Sequence, residues 1–299
     1  MYSEIKKIKA LFDNGGNVME YLRKNSDEKK NSIEAIKISY DLQAGTYIQS
    51  YKNNLEFNRL YTSAIASIIE SLGTHDSILE AGVGEATTLA NVVEKLSAKP
   101  KRSCGFDISW SRIKFARKFA ESKGMNSDWL FIGDLFRVPL ADNSVDIVYT
   151  SHSIEPNGGR EEEALRELYR ISSRYLVPLE PAYELASDEA KARMEHHGYV
   201  RGLKQTAEKL GYKIVEYRLF DHIINPLNPT GLLIIEKDAS LPATETTFSC
   251  PITGGTLNKE KDCFYAAESL LAYPIIGEIP CLLPENAIIA SGFKATVNI

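Results

Sequence analysis

Two hydrophobic patterns alternate along the chain between residues 60 and 237. Apolar residues recur with helical spacing over 60–72, 86–97, 110–123, 160–172 and 203–210. Short apolar runs typical of buried strands occupy 77–80, 104–107, 128–134, 140–150, 175–180, 213–220 and 231–236. Regular alternation of strands and helices predicts a mostly parallel sheet with helices on both faces. The expected fold is therefore α/β, with a Rossmann-like, doubly wound sheet of seven strands.

The segments on either side of this sheet have a different character. Residues 1–60 begin with two amphipathic, charged stretches separated by a glycine-containing break, continue into clustered tyrosines, and predict an N-terminal helical cap. Residues 61–240 are expected to hold the sheet, and a polar, proline-containing linker follows over 237–246. Residues 245–299 are expected to form a small C-terminal α+β module.

Acidic residues stand at the ends of the first three predicted strands. These residues are Glu80, Asp107 and Asp134. Ligands of open α/β sheets bind beyond the carboxyl ends of the strands, so we expect the three acids to meet in one crevice. Glu80 and Glu85 surround the turn after the first strand with negative charge. This charge favours a cationic or hydroxyl-bearing ligand over the pyrophosphate that glycine-rich helix starts commonly hold.

Residues 75–180 resemble the class I S-adenosylmethionine-dependent methyltransferases, of the type 11-like group. The family's first motif is an acid followed by Gly-x-Gly-x-Gly. Glu80, Gly82 and Gly84 match this motif, and Ala86 stands at the third glycine. The resemblance implies an enzyme, a transferase that uses S-adenosyl-L-methionine as its cofactor, releases S-adenosyl-L-homocysteine and needs no metal.

The resemblance also implies which residues contact the cofactor. Asp107 would accept hydrogen bonds from both ribose hydroxyls, while Asp134 and the backbone at Leu135 would read the amino edge of adenine. Ser151 lies at the end of the fourth strand, beside the expected position of the methyl group. The cofactor-binding residues predicted in this way are Glu80, Gly82, Gly84, Asp107, Ile108, Asp134, Leu135 and Ser151.

Methyl transfer requires alignment of the reactants, and the acceptor can also need a general base. His152 is the first candidate, because histidine titrates near neutral pH and this one follows the fourth strand, and Glu155 is the second. Alternatively, His152 only hydrogen-bonds its loop and packs beside the cofactor. Predicted acceptor-binding residues are Tyr40, Tyr47, Arg59, Glu180 and His197, with Tyr40, Tyr47 and Arg59 as a lid or, for the tyrosines, as core packing.

The C-terminal module resembles the short zinc-ribbon-like activator subunit of tRNA and protein methyltransferases. This resemblance rests on the Cys-Pro-Ile-Thr segment at 250–253 and the Tyr-Pro-Ile segment at 273–275. Of the four metal ligands in that family, only Cys250 is retained, and Thr253, Ala266 and Ser269 stand at the other positions. Structural zinc needs four ligands, so we expect no metal here. The module is expected to pack on the catalytic domain, since a core this small is marginal alone.

Composition narrows the choice of partners and location. Lys and Arg total 35 against 40 Asp and Glu, which gives a net charge of −5 and makes a nucleic-acid partner unlikely. No run approaches the roughly 18 apolar residues of a membrane span, so we expect a cytoplasmic protein without a membrane partner. The four cysteines have no disulfide-type spacing and are expected to be reduced.

Four functions remain compatible with these features. The favoured one is methyl transfer to an oxygen or nitrogen of a small-molecule acceptor, such as a sugar or another biosynthetic intermediate. The main alternative is a tRNA or protein methyltransferase that carries its activator module in cis. A non-catalytic binder and a nicotinamide-dependent oxidoreductase complete the set, and the three strand-end acids argue against the binder.

Overall fold

The computed structural model describes residues 4–24, 31–238 and 243–294. The helices are α1 (Ile5–Asp13), α2 (Val18–Lys24), α3 (Ile33–Leu42), α4 (Thr46–Asn53), α5 (Leu55–Ser71), α6 (Thr87–Lys95), α7 (Trp110–Ser122), α8 (Glu161–Ile171), α9 (Asp188–His197) and α10 (Leu203–Lys209). The strands are β1 (Ser77–Ala81), β2 (Arg102–Asp107), β3 (Leu130–Ile132), β4 (Val145–Ser151), β5 (Ser172–Pro181), β6 (Lys213–Leu219), β7 (Thr230–Glu236), β8 (Asn258–Lys259), β9 (Cys263–Ala266), β10 (Leu271–Ile276), β11 (Ile279–Pro280) and β12 (Ile288–Ile289).

The first seven strands form one sheet in the order β3-β2-β1-β4-β5-β7-β6. The five strands from β3 to β5 are parallel, and β7 runs antiparallel between β5 and β6. Helices α5, α6 and α7 cover one face of the sheet, and α8 and α10 cover the other. The predicted α/β fold with a seven-stranded, doubly wound sheet is therefore confirmed. Because the strand order reverses between β1 and β4, a crevice is expected beyond their carboxyl ends.

Element bounds differ from the sequence prediction where tertiary contacts extend or shorten them. Strand β3 keeps only Leu130–Ile132 of the predicted run 128–134. Strand β5 begins earlier, at Ser172, because it pairs with β4 on one side and β7 on the other. Helix α5 begins at Leu55, before the predicted start at residue 60. Its first turns line the crevice, so they lack the regular apolar spacing by which the rest of the helix was predicted.

Five helices precede β1 in the described part of the N-terminal region. Helices α1, α2 and α3 enclose a small core of their own, separate from the two cores on the faces of the sheet. Its buried members are Ile8, Val18, Leu22, Ala35 and Ile38. Helices α3, α4 and α5 continue from this cluster to the carboxyl ends of the strands, where their side chains line the crevice.

The C-terminal segment extends the main sheet at its β3 edge. The Leu282 N–H donates to the carbonyl oxygen of Ile132 at 3.0 Å, and Cys281 pairs with Ile132 in a parallel bridge. Cys281 and Leu283 join the core on one face of the sheet and Leu282 joins the core on the other, as alternate side chains of an extended segment do. This segment covers backbone groups that an open edge strand would expose.

The module itself is nearly all β-structure. Strands β8 to β12 form a five-stranded sheet, and the helical content of residues 243–294 is limited to one 3-10 turn, Pro284–Asn286. The helical part of the expected α+β module is thus smaller than predicted. Phe248 anchors the module, since its ring centroid lies 4.6 Å from that of Trp129 and 5.0 Å from that of Phe131. The module and the sheet therefore share a hydrophobic core.

No helix within the described residues combines the length and the apolar character needed to span a bilayer.

Candidate active site

A cavity of about 490 Å³ opens at the carboxyl ends of the parallel strands. Its walls come from α3, α4 and α5, from the strand ends and from the loops 151–157 and 222–230. The structure brings twelve of the predicted site residues to this cavity. They are Tyr40, Tyr47, Glu80, Gly82, Gly84, Asp107, Ile108, Asp134, Leu135, Ser151, His152 and Glu155.

The glycine turn after β1 has two different functions at its two glycines. Gly82 has a φ of +70°, and a Cβ placed there would lie 2.2 Å from the Cβ of Ser153. Glycine is thus required at this position because the loop after β4 packs against it. Gly84 has a φ of +54°, and a Cβ there would meet only Arg112 Nη1 at 3.7 Å. The space beside Gly84 is therefore open to a ligand.

Asp107 lies at the end of β2 with both carboxylate oxygens engaged by backbone donors. The Gly84 N–H donates to Oδ2 at 3.1 Å and the Ser109 N–H donates to Oδ1 at 2.9 Å. Burial raises the pKa of Asp107, while the positive charge of Arg112 and these N–H groups oppose the rise. Each oxygen retains a further lone pair for a ligand hydroxyl.

Glu80 differs from Asp107 in its electrostatics. It is buried, its Oε2 accepts a hydrogen bond from the Tyr149 hydroxyl at 3.1 Å, and burial raises its pKa to about 8. Without a ligand, the carboxyl is therefore largely protonated at neutral pH. The sequence indicated that Glu80 is negatively charged. In the folded protein, Glu80 is ionised at neutral pH only when a cation binds beside it.

Asp134 and Leu135 follow β3 on the side of the cavity away from the β4 loop. The Phe136 N–H donates to Asp134 Oδ1 at 3.0 Å. Burial raises the pKa of Asp134, and this N–H opposes the rise. Asp134 Oδ2 accepts no hydrogen bond from the described residues, and Asp134 lies in the cavity wall. A carboxylate oxygen can accept a hydrogen bond from an amino group of a ligand, and a neighbouring backbone N–H can donate to a ring nitrogen beside that amino group.

Glu85 binds the protein itself rather than a ligand. Its carboxylate accepts from the N–H groups of Gly45 at 2.7 Å, Tyr47 at 3.3 Å and Ile48 at 2.7 Å. These donors belong to the N-terminal end of α4, where a carboxylate is stabilised by unpaired N–H groups and by the helix dipole. Glu85 thus attaches α4 to the turn after β1, and its charge is not available to a ligand, contrary to the sequence-based interpretation.

We expect Glu85→Gln to lower the melting temperature by about 2–8 °C. Removing an anion from a partly buried helix N-terminus costs about 1–2 kcal/mol, and a chain of this size loses about 2–4 °C per kcal/mol. Thermal unfolding followed by circular dichroism measures the change. Glu94→Gln is the control, because Glu94 is an exposed residue in a surface ion pair with Lys123 and should change the melting temperature little. Equal melting temperatures for the wild type and Glu85→Gln would show that α4 does not depend on this carboxylate.

Arg112 is held between the two predicted lid tyrosines. Its guanidinium carbon lies 4.4 Å from the ring centroids of both Tyr40 and Tyr47, and its Nε donates to the Tyr40 carbonyl oxygen at 3.0 Å. Because Arg112 also compensates the charge of Asp107, these contacts place the two rings on the Asp107 side of the cavity. The two tyrosines thus lie beside a predicted cofactor residue, and Tyr40 is also within reach of the charge of Glu155.

His152 joins two polar side chains across the cavity. Its Nδ1 lies 2.5 Å from Glu155 Oε2 and its Nε2 lies 2.7 Å from Thr230 Oγ1. Burial alone would lower the pKa of His152 and raise that of Glu155, but their mutual hydrogen bond and charges reverse both directions. The pKa of His152 is raised and that of Glu155 is lowered, as expected for an imidazolium–carboxylate pair. His152 also has a φ of +57°, an uncommon conformation that clusters at functional sites.

Three predicted acceptor-binding residues lie outside the cavity lining. Glu180 is buried beneath the loop after β4 and accepts from the N–H groups of Ser153, Ile154 and Glu155, so it holds that loop in place. Arg59 is exposed and pairs with Glu56 at 2.8 Å. His197 stacks on Tyr199 at the end of α9. None of the three is carried forward as an acceptor contact.

Several lining residues were not predicted from the sequence. Arg193 and Tyr199 reach the cavity from α9 and the residues after it, and Asn228 and Thr230 reach it from the segment before β7. The polar, proline-containing run at 221–230 between two predicted strands was a signal for the second pair. Arg193 had no comparable signal, because it stands in a helix with many charged residues.

The described residues contain no group of three or more His, Cys, Asp or Glu side chains that could hold a metal ion. All four cysteines are free thiols, and Cys250 Sγ lies 3.2 Å from the Tyr273 hydroxyl. No residue of 243–294 lines the cavity.

Comparison with known proteins agrees with this arrangement. A family model described as a methyltransferase domain matches residues 78–174. Magnesium protoporphyrin IX methyltransferase from Synechocystis PCC 6803 with bound SAH is similar over 67% of this chain and 99% of that chain, with 12% identity and a TM-score of 0.52. The same enzyme with bound SAM is similar over 67% and 96%, with 13% identity and a TM-score of 0.50. At such identities the likeness is one of fold. No curated protein matches the chain in sequence.

Residues 78–174 therefore form a methyltransferase domain, and the surrounding fold supports an S-adenosylmethionine-dependent enzyme. S-adenosyl-L-methionine is the cofactor that such a domain implies. The cavity fits this molecule, since it presents three strand-end acids, an open approach at Gly84 and a buried Ser153 hydroxyl that lacks a partner among the described residues.

Proposed function

We propose that this enzyme transfers the methyl group to an oxygen or nitrogen atom of a small-molecule acceptor. The observation that carries the proposal is the enclosure of the cavity. Helices α3, α4 and α5 and the loop 222–230 form walls around the strand ends. A volume of about 490 Å³ lies within the range of small-ligand sites. The net charge of −5 also provides little attraction for a phosphate backbone.

In the proposed cofactor site, Asp107 binds the ribose hydroxyls, and Asp134 with the backbone at Leu135 binds the adenine edge. Gly82, Gly84, Ile108 and Ser151 shape the wall between them. When bound, S-adenosyl-L-methionine supplies an electrophilic methyl group. The protein then has to align the acceptor atom with that group and exclude water.

The proposed proton acceptor is His152, which Glu155 orients. If Glu155 accepts the Nδ1 hydrogen, Nε2 keeps its lone pair and faces the Thr230 hydroxyl at 2.7 Å. The acceptor's proton would pass to Nε2 directly or through Thr230, and Glu155 would stabilise the resulting imidazolium. In the alternative role, His152 only ties the loop after β4 to β7.

A labelling experiment tests the acceptor class. The full-length protein is incubated with methyl-labelled S-adenosyl-L-methionine and with separate small-metabolite, tRNA and protein fractions of the host extract. We expect label in the small-metabolite fraction and none in the other two above a Gly82→Trp control, in which the indole would fill the turn. Label confined to tRNA or protein would contradict the proposal.

A macromolecular acceptor is the second candidate, because the C-terminal module resembles a methyltransferase activator. The module's distance from the cavity lining favours support of the catalytic domain in cis over a direct contact with the acceptor.

A further inference from the structure

Arg193 is a cation in the cavity wall and has no acidic partner among the described residues. Its Nη1 atom is buried and makes no hydrogen bond within the described residues. No carboxylate of those residues forms an ion pair with it, whereas nearby arginines are paired. These pairs are Arg160–Glu163, Arg166–Glu162, Arg170–Glu167 and Arg201–Glu195. Arg193 as a whole is half-buried, but a buried guanidinium N–H group without an acceptor is destabilising, so Nη1 in the wall of a ligand cavity points to an anion that binds there.

The surroundings place Arg193 on the acceptor side of the cavity. Its guanidinium lies 5.7 Å from the ring centroid of Tyr199. Tyr199 interacts with both Glu155 and Arg193 and therefore lies between them; burial and the charge of Glu155 raise its pKa to about 12. When His152 is protonated, it compensates the charge of Glu155 at 2.5 Å, and neither residue then neutralises Arg193.

A second unsatisfied atom lies in the same region. Asn228 Nδ2 donates to Glu155 Oε2 at 3.2 Å, and this bond fixes the orientation of the amide. The other amide atom, Asn228 Oδ1, is buried and has no hydrogen-bond partner among the described residues. It can accept a hydrogen bond from a hydroxyl or amine. The cavity thus offers a site for an anion and a site for an N–H or O–H donor.

We propose that the acceptor carries a carboxylate bound by Arg193, together with a hydroxyl or amine that donates to Asn228 Oδ1. The inference rests on the proposed function and names the substrate class of the same site. Arg193 binds and positions the acceptor, and a planar guanidinium suits a carboxylate because the two can form paired hydrogen bonds.

The test separates small metabolites by anion exchange before the labelling reaction. We expect the wild type to label acceptors in the anionic fraction and Arg193→Gln to label them about 10- to 100-fold less, as loss of a charge-assisted hydrogen bond predicts. Arg193→Lys should recover part of the activity. Arg201→Gln is the matched control, because Arg201 pairs with Glu195 outside the cavity and should leave labelling unchanged.

Calorimetric titration with S-adenosyl-L-homocysteine provides the second readout. We expect Arg193→Gln to bind it with wild-type affinity, which also shows that the variant is folded. A large loss of that affinity would mean that Arg193 holds the cofactor's own carboxylate, and the inference would be wrong. Label confined to the non-anionic fraction would also contradict the inference of an anionic acceptor, but it would still agree with the proposed small-molecule methyl transfer. Absence of label in every small-molecule fraction would overturn both.

Discussion

Asp107→Asn is expected to weaken binding of S-adenosyl-L-homocysteine by about 100-fold or more. The substitution keeps the shape of the side chain but removes the charge that would accept hydrogen bonds from two ribose hydroxyls. Charge-assisted hydrogen bonds contribute about 1.5–3 kcal/mol each, so two of them account for this loss. The change also leaves the buried guanidinium of Arg112 without its counter-charge. Isothermal titration calorimetry measures the affinity directly.

Asp128→Asn is the matched control for this prediction. Asp128 is an exposed acid just before β3 whose side chain contacts Asn126, and it does not line the cavity. We expect its affinity for S-adenosyl-L-homocysteine to equal that of the wild type. An Asp107→Asn protein with the wild-type circular dichroism spectrum and wild-type affinity would refute the assignment of the ribose site.

His152→Asn is expected to lower kcat by about 10²–10⁴-fold while leaving the affinity for S-adenosyl-L-homocysteine unchanged. Losses of this size are typical when a general base is removed. Asparagine is the suitable replacement because position 152 has a φ of +57°, which asparagine tolerates better than most residues. Rates are measured with the acceptor fraction that the labelling experiment identifies.

The pH dependence distinguishes a base from a structural histidine. The Glu155 carboxylate raises the pKa of His152, so the neutral base is present only above that raised pKa, and kcat/KM should rise with pH through it. In Glu155→Gln, burial lowers the pKa of His152 and only the charge of Glu180 still raises it, so the rising limb should move to lower pH. Unchanged turnover in His152→Asn, or an identical limb in Glu155→Gln, would support the structural role instead.

The predictable part of the site follows from strand geometry. Glu80, Asp107 and Asp134 could be expected to meet because the carboxyl ends of neighbouring parallel strands lie at one edge of a sheet. Which of them carries charge could not be predicted, since the charge depends on burial and on neighbouring groups. Burial raises the pKa of Glu80 to about 8, while the positive charge of Arg112 opposes the rise in the pKa of Asp107. Sequence reasoning also treated Glu85 as equivalent to Glu80, although α4 binds the carboxylate of Glu85.

The residues on the acceptor side of the cavity were harder to predict from the sequence. Arg59 and His197 were selected for their chemistry and their approximate place in the chain, and neither reaches the cavity lining. Arg193, Asn228 and Thr230 reach it from two separate segments. No local pattern marks such residues, because their role arises from packing between elements that are distant in sequence.

The amino-acid sequence by itself determined the alternation of helices and strands, the glycine turn after β1 and the row of acids at the strand ends. These features arise from local hydrophobic period and backbone stereochemistry, which act within about ten residues. Only the tertiary structure decided that Ser153 packs on Gly82, that Glu155 and Thr230 hold His152, and that Arg193 lacks an acidic partner among the described residues. Such contacts join residues far apart in the chain, and the energy of each depends on burial and on neighbouring charges that exist only in the folded protein.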